Sequence, residues 1–206
     1  MAGGRTGWQG WQGSAAQAAP SHLLKRHWHS LRKGAALPRR DAITPRAIAG
    51  MLDHVLMAER RPGGAVLLRY AGMAVNAVHG QDLTGRPLSA LFEIGMRDQF
   101  LEALEPAFAG SRTLDMELYS ERGLTRPPLK ARLTLLPLAP VGSEGVTLIG
   151  CFDLDGPPIL PPRRFRIERV LGVPLTDWSA PHTPQAPPPD REAGGALGPV
   201  LVWSGA

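Results

Sequence analysis

His79 is the residue with the clearest chemical potential in this 206-residue chain. It stands beside Gly80 in a connector punctuated by glycines, where an imidazole that faces a pocket can bind haem iron, a metal ion or an anion. A single histidine in a loop is more often a surface or capping residue. The sequence therefore leaves two interpretations of His79 open, a ligand-binding residue and an ordinary loop residue.

The other histidines and the one cysteine do not form a recognisable metal site. His22, His27 and His29 are spaced by five and two residues, and neither spacing places a pair on one helical face. His54 has no carboxylate or second histidine at metal-ligand spacing. Cys151 lies in an apolar run that should raise the pKa of its thiol and make it inert, with a redox-sensing role as the alternative. We predict no metal site, and the sequence identifies no cofactor.

The loop after His79 reads Gly80-Gln81-Asp82-Leu83-Thr84-Gly85. Its two glycines permit positive φ angles, and its Asp and Thr side chains can bond to nearby backbone amides. A tight connector therefore explains the loop without a ligand. No Ser/His/Asp arrangement, Walker-type loop or HExxH motif is visible elsewhere, so we predict no catalytic residues and no enzymatic activity.

The elements that must position these residues lie in the middle of the chain, because prolines and glycines concentrate towards its two ends. Apolar residues at three- and four-residue spacing predict an amphipathic helix over 21–33 and a second helix over 96–109. Alternating or β-branched runs predict strands, and Gly-rich stretches predict turns. The strands are predicted at 52–59, 65–70, 113–120, 129–138 and 145–154, with a short helix at 45–50 and helical turns over 72–91.

This order favours an α+β domain with a five-stranded antiparallel sheet, helices on one face and the amphipathic helix in front. We expect a disordered N-terminus over 1–20, a domain over 21–154 and a Pro-rich, mostly disordered tail over 155–206. Within that tail, residues 163–171 are compatible with a brief helix or a strand.

Positive charge is concentrated in the first 50 residues, which carry eight Lys or Arg side chains against Asp41 alone. Such an arm can attract an acidic protein, a lipid surface or nucleic acid, although it is equally typical of a solvated helix face. The single cysteine excludes an internal disulfide framework. No secretion signal and no apolar run of membrane-spanning length is visible, which predicts a cytoplasmic protein without a membrane span.

Several ordered motifs resemble the PAS-like domain family found largely in alphaproteobacteria. They are the Trp28 helix with Leu31, Arg32 and Gly34, the segment Leu37-Pro38-Arg39-Arg40-Asp41 with Ile43 and Pro45, Leu68-Arg69-Tyr70-Ala71-Gly72, Val75, and the run from His79 to Leu88. The resemblance covers about residues 23–154. The family position that His79 occupies is commonly aromatic or apolar.

This resemblance implies a PAS fold with a role in sensing, dimerisation or partner docking, and fold alone does not identify a ligand. It predicts a stand-alone regulatory module in signal transduction that binds a small molecule or a protein. Its output would pass through a protein partner or a homodimer formed by residues 21–33. A candidate ligand pocket comprises Met57, Tyr70, Val75, His79, Phe92, Phe100, Leu135 and Phe152, and a candidate interaction surface comprises Trp28, Arg32, Arg39 and Arg40.

Nucleic-acid binding by the basic helix from Lys25 to Lys33 is the alternative function. It requires a basic face with exposed aromatic residues. We expect Trp28 to face the core instead, which makes a nucleic-acid partner the weaker prediction.

Overall fold

A computed structural model of the chain describes residues 19–34, 36–121, 127–140, 147–158 and 160–175. Within these ranges the chain forms one antiparallel sheet of six strands with three α-helices. The helices are α1 (Pro20–Ser30), α2 (Met73–His79) and α3 (Arg97–Phe108). The strands are β1 (Val55–Arg60), β2 (Val66–Ala71), β3 (Arg112–Ser120), β4 (Leu129–Leu138), β5 (Thr147–Leu154) and β6 (Arg166–Pro174). Their spatial order is β2-β1-β5-β4-β3-β6.

The inner face of the sheet carries the main hydrophobic core. Successive side chains of a strand point to opposite faces, so Leu114, Met116 and Leu118 of β3 are buried on one face. Cross-strand pairing places Met116 opposite Leu133 of β4. Helix α3 packs on β3, β4 and β5 and contributes Phe100 to this core. The alternation in the sequence therefore predicted the inner face correctly.

Helix α1 packs on the opposite, outer face of the sheet, against β5 and β4. Leu24 and Trp28 have no exposed area and join a second core cluster with Ile149. The Trp28 indole Nε1–H donates to the carbonyl of Pro137 at 2.9 Å. The predicted α+β fold and its amphipathic N-terminal helix are confirmed, and the helices lie on both faces of the sheet rather than on one.

Two polar contacts hold α1 in place. Ala19 offers no capping side chain at the helix start, and the backbone N–H of Ser21 donates instead to Asp153 Oδ1 on β5 at 3.2 Å. The Lys25 ammonium lies 2.6 Å from a carboxylate oxygen of Asp115 on β3, and both side chains are mostly buried. Helix α1 is therefore an integral layer of the domain.

The strand β6 corrects the predicted five-stranded sheet to six strands. It pairs antiparallel with β3 over Arg112–Tyr119, so the sheet continues beyond residue 154. Of the predicted 163–171 segment, residues 166–171 thus adopt the strand alternative. The α-helix expected at 45–50 is also wrong, because the chain forms turns there and then a 3₁₀ helix at Ala49–His54.

Candidate functional site

Five of the eight residues predicted to line a pocket lie together in the inner core. Each of them has no exposed area. The rings of Phe92 and Phe100 stack with centroids 4.0 Å apart. Side chains thus fill the space between the sheet and the helical layer where these residues meet. The five are Val75, Phe92, Phe100, Leu135 and Phe152.

Two other predicted pocket residues, Met57 and Tyr70, do not belong to this group. They are register partners on β1 and β2, and both pack against the outer core beneath α1. The Tyr70 hydroxyl donates to the carbonyl of Leu52 at 3.2 Å, and burial followed by the nearby Asp53 carboxylate raises the pKa of the phenol. The prediction that Met57 and Tyr70 share a pocket with the core phenylalanines is therefore wrong.

The residue that completes the inner core is Phe165, which was not among the predicted pocket residues. Its side chain has no exposed area and meets Phe152 edge to face with centroids 5.4 Å apart. Its backbone N–H donates to Leu91 O at 2.9 Å, and its carbonyl accepts from the N–H of Glu93 at 3.1 Å. The sequence signal was an apolar set that Phe165 shares with Ile167, Val170 and Leu171, and it lies C-terminal to the residues covered by the family resemblance.

His79 ends α2 and is half-buried, so it lies outside the inner core. Its Nδ1 is 2.9 Å from the amide nitrogen of Gln81, and the Gln81 Oε1 accepts from Arg86 Nη2 at 3.4 Å. Burial, then the positive charges of Arg164 and Arg86, lower the pKa of the His79 imidazole. The structure thus places His79 in a basic surface cluster at the end of α2, outside the inner core that the five buried residues form.

The Gly80–Gly85 loop is the tight connector that its sequence predicts. Both glycines have positive φ, at 79° each. Asp82 Oδ1 accepts from the N–H of Thr84 at 2.9 Å, and Asn76 Oδ1 accepts from the N–H of Leu83 at 3.0 Å. The loop side chains are therefore engaged in holding the backbone.

Comparison with known families accounts for this arrangement. A family model described as PAS domain matches residues 16–153. The chain belongs to the PAS domain family. The match ends before Phe165 and β6, although both complete the sheet and core of this PAS domain. No curated protein is significantly similar to the chain. Membership supports a sensory or regulatory role in general.

The predicted interaction surface of the PAS domain is only partly on its surface. Trp28 is fully buried, so its inclusion was wrong, while the expectation that it faces the core is confirmed. Arg32 lies 5.2 Å from the Trp28 ring centroid and reaches Leu175 O at 3.4 Å. Exposed Arg39 pairs with Asp41 at 2.7 Å, and Arg40 is half-buried. The Arg39–Asp41 pair lies within one segment and does not tie α1 to the sheet.

Cys151 and His54 of this PAS domain make different contacts. Cys151 is buried in the outer core, and burial followed by the adjacent Asp153 carboxylate raises the pKa of its thiol far above the ordinary value. His54 Nδ1 contacts Phe152 O at 3.1 Å. Across the described ranges, no three His, Cys, Asp or Glu side chains come together as a metal site. None of the helices described has the length and apolar character needed to span a membrane.

Proposed function

We propose that this PAS domain is a regulatory module that acts by docking a protein partner on the outer side of its sheet. The observation that carries the proposal is the filled interior. The rings of Phe92, Phe100, Phe152 and Phe165 occupy the inner core without exposed area. A small molecule would have to displace one of these rings, whereas a protein can bind a surface that already exists.

The docking surface that we propose is the solvent side of α1 and the segment that follows it. Arg26, Lys33, Arg39 and Arg46 are exposed there. Lys25 is paired with Asp115 and Arg39 with Asp41, so the free positive charge comes from Arg26, Lys33 and Arg46. Because this surface is basic, its partner should present acidic side chains, which would accelerate encounter and weaken binding at high salt.

A homodimer through residues 21–33 remains a second form of the same proposal. Deleting residues 1–34 would not test it cleanly, because the deletion removes Leu24 and Trp28 from the outer core. Charge reversal at exposed positions of α1 leaves that core intact. The nucleic-acid alternative has less support, since buried Trp28 cannot stack on a base.

The test uses the full chain as bait to capture partner proteins from cells of its source, and quantitative mass spectrometry identifies the captured proteins. The double variant Arg26→Glu with Lys33→Glu reverses two exposed charges on the docking surface. Arg86→Glu with Arg164→Glu is the matched control, because it reverses two exposed charges near the end of α2. We expect one acidic protein to be lost with the first variant, retained with the control, and bound by the purified chain in a salt-dependent manner.

Three results would contradict the proposal. Equal capture by both variants would show that α1 is not the docking surface. A small molecule that copurifies in native mass spectrometry and is lost on denaturation would favour ligand sensing. Salt-dependent binding to DNA or RNA that requires Arg26 and Lys33 would favour the alternative. A cytoplasmic location, an alphaproteobacterial source and the absence of enzymatic activity stay predictions.

A further inference from the structure

The C-terminal segment that precedes β6 crosses the end of α2. The backbone N–H of Arg163 donates to the carbonyl of Val78 at 2.7 Å. Pro161 packs so closely on Gly80 that a Cβ atom on this glycine would lie 3.1 Å from the proline ring. These contacts place Arg164 beside the last turn of α2. Since the Val78 carbonyl is occupied, part of the negative charge that a helix presents at its C-terminus is offset.

Three basic residues from separate segments lie near this point, close enough for the charges of both arginines to act on the His79 imidazole. Arg86 comes from the connector after α2, His79 from its last turn and Arg164 from the C-terminal segment. Gln81 bridges two of them through contacts of 2.9 Å to His79 and 3.4 Å to Arg86. An amide nitrogen can only donate, so Nδ1 of His79 accepts and the proton of the neutral ring resides on Nε2. That N–H is a donor available to an acceptor outside the chain.

Carboxylates lie near this cluster, and Asp82 is close enough for its charge to interact with that of Arg86, but none of them forms an ion pair with the cluster in the described ranges. Neither Arg86 nor Arg164 forms a salt bridge with any residue in the described ranges. One oxygen of Asp82 is engaged by the N–H of Thr84. Glu93 and Glu121 line a shallow cleft of about 290 Å³ together with Arg164. Neither forms an ion pair with Arg164, and Glu121 pairs instead with Arg166 at 2.6 Å. Arg86 and Arg164 are both exposed, and apart from the contact of Arg86 Nη2 with Gln81 their guanidinium donors make no hydrogen bond within the described ranges.

We propose that His79, Arg86 and Arg164 form a binding site for a small oxyanion of the phosphate class. Two guanidinium groups and one imidazole N–H match the acceptor oxygens of phosphate, and Gln81 fixes the orientation of two of the three donors. Free phosphate and the phosphoryl group of an ester share this chemistry. The site is separate from the docking surface proposed above, because α1 packs on the outer face of the sheet and α2 contributes to the core of the inner face.

The experiment follows the His79 imidazole by NMR in the full chain while inorganic phosphate replaces chloride at constant ionic strength. We expect saturable shifts with a dissociation constant on the order of millimolar. Bound phosphate should raise the His79 pKa, because it places negative charge near the ring. A second titration uses methyl phosphate, and tighter binding of the ester would identify an organic phosphate as the ligand class, whereas equal affinity would identify the free anion.

Two variants decide between a specific site and general charge attraction. Arg86→Gln with Arg164→Gln should weaken phosphate binding at least tenfold, because two of the three donors are lost. Lys33→Gln with Arg46→Gln removes the same charge from exposed positions elsewhere and should change affinity less than twofold. The proposal is overturned if 50 mM phosphate gives no saturable shift of His79, or if both double variants lose affinity equally. Circular dichroism of each variant checks folding, and the single change Arg164→Gln replaces the double variant if that fails.

Discussion

Replacing Phe165 with alanine tests whether the C-terminal segment is part of the folded domain. The side chain is fully buried and packs edge to face on Phe152. Truncation of a buried phenylalanine to alanine costs about 3–5 kcal/mol, from lost burial and from the cavity left behind. A domain of this size is stable by about 5–15 kcal/mol. The change should therefore remove a large share of the free energy of unfolding.

Urea denaturation followed by far-ultraviolet circular dichroism measures this loss. With a slope of about 2 kcal/mol per molar urea, a 4 kcal/mol loss lowers the midpoint by about 2 M. Phe165→Leu keeps most of the apolar volume and should cost less than about 2 kcal/mol. Leu160→Ala is the control, because Leu160 is 47% exposed and its loss should change stability by about 0.5 kcal/mol or less. A Phe165→Ala midpoint within about 0.3 M of the unmodified chain, which at this slope is a loss of only about 0.6 kcal/mol, would refute the assignment of Phe165 to the core.

Three further predictions concern polar groups. Lys25→Ala should destabilise the domain by about 1–2 kcal/mol in thermal denaturation, because it leaves the mostly buried Asp115 carboxylate without its cation. Adding Asp115→Asn to this variant should recover part of the lost stability. Cys151 should resist iodoacetamide in the native state and react fully in urea, because burial and Asp153 raise its pKa, and rapid native labelling would contradict this. The His79 imidazole should titrate below 6.5 by NMR, because its pKa is lowered in the folded state. The free energy of unfolding should then fall as the pH drops below about 6.5, since the unfolded chain binds the proton more readily. A stability independent of pH in this range, or an NMR midpoint above 6.5, would disprove this prediction.

The sequence predicted the strands that alternate most regularly. In β3, Leu114, Met116 and Leu118 alternate with polar residues, and both ends of the strand were placed to within about a residue. Strand β6 is less regular, because Glu168 adds a residue where the pairing with β3 shifts register. Prolines precede β6, and its position at the edge of the sheet leaves it half-exposed, so its hydrophobic pattern is weaker. The sequence of β6 therefore resembles that of the Pro-rich tail.

The prediction that Met57 lines the candidate pocket was wrong for a different physical reason. Neighbouring residues of a strand face opposite sides of the sheet, and both sides of β1 are covered in this domain. The apolar pattern of Leu56 and Met57 therefore does not reveal which residue faces which core. Phe165 could not be found from local pattern at all, because its burial depends on pairing with the segment at Leu91 and Glu93. Contacts over such a separation in the chain are decided by tertiary packing.

The position of β6 beside β3 has a consequence for shortened forms of the protein. The family match ends at residue 153, and a chain cut there would leave β3 at the margin of the sheet. The backbone N–H and C=O groups that β3 now shares with β6, over Arg112–Tyr119, would then be unpaired along one side. Such a margin is a template for pairing with another molecule. We expect fragments that end near residue 153 to aggregate, and fragments that extend through Leu175 to remain dispersed at the same concentration.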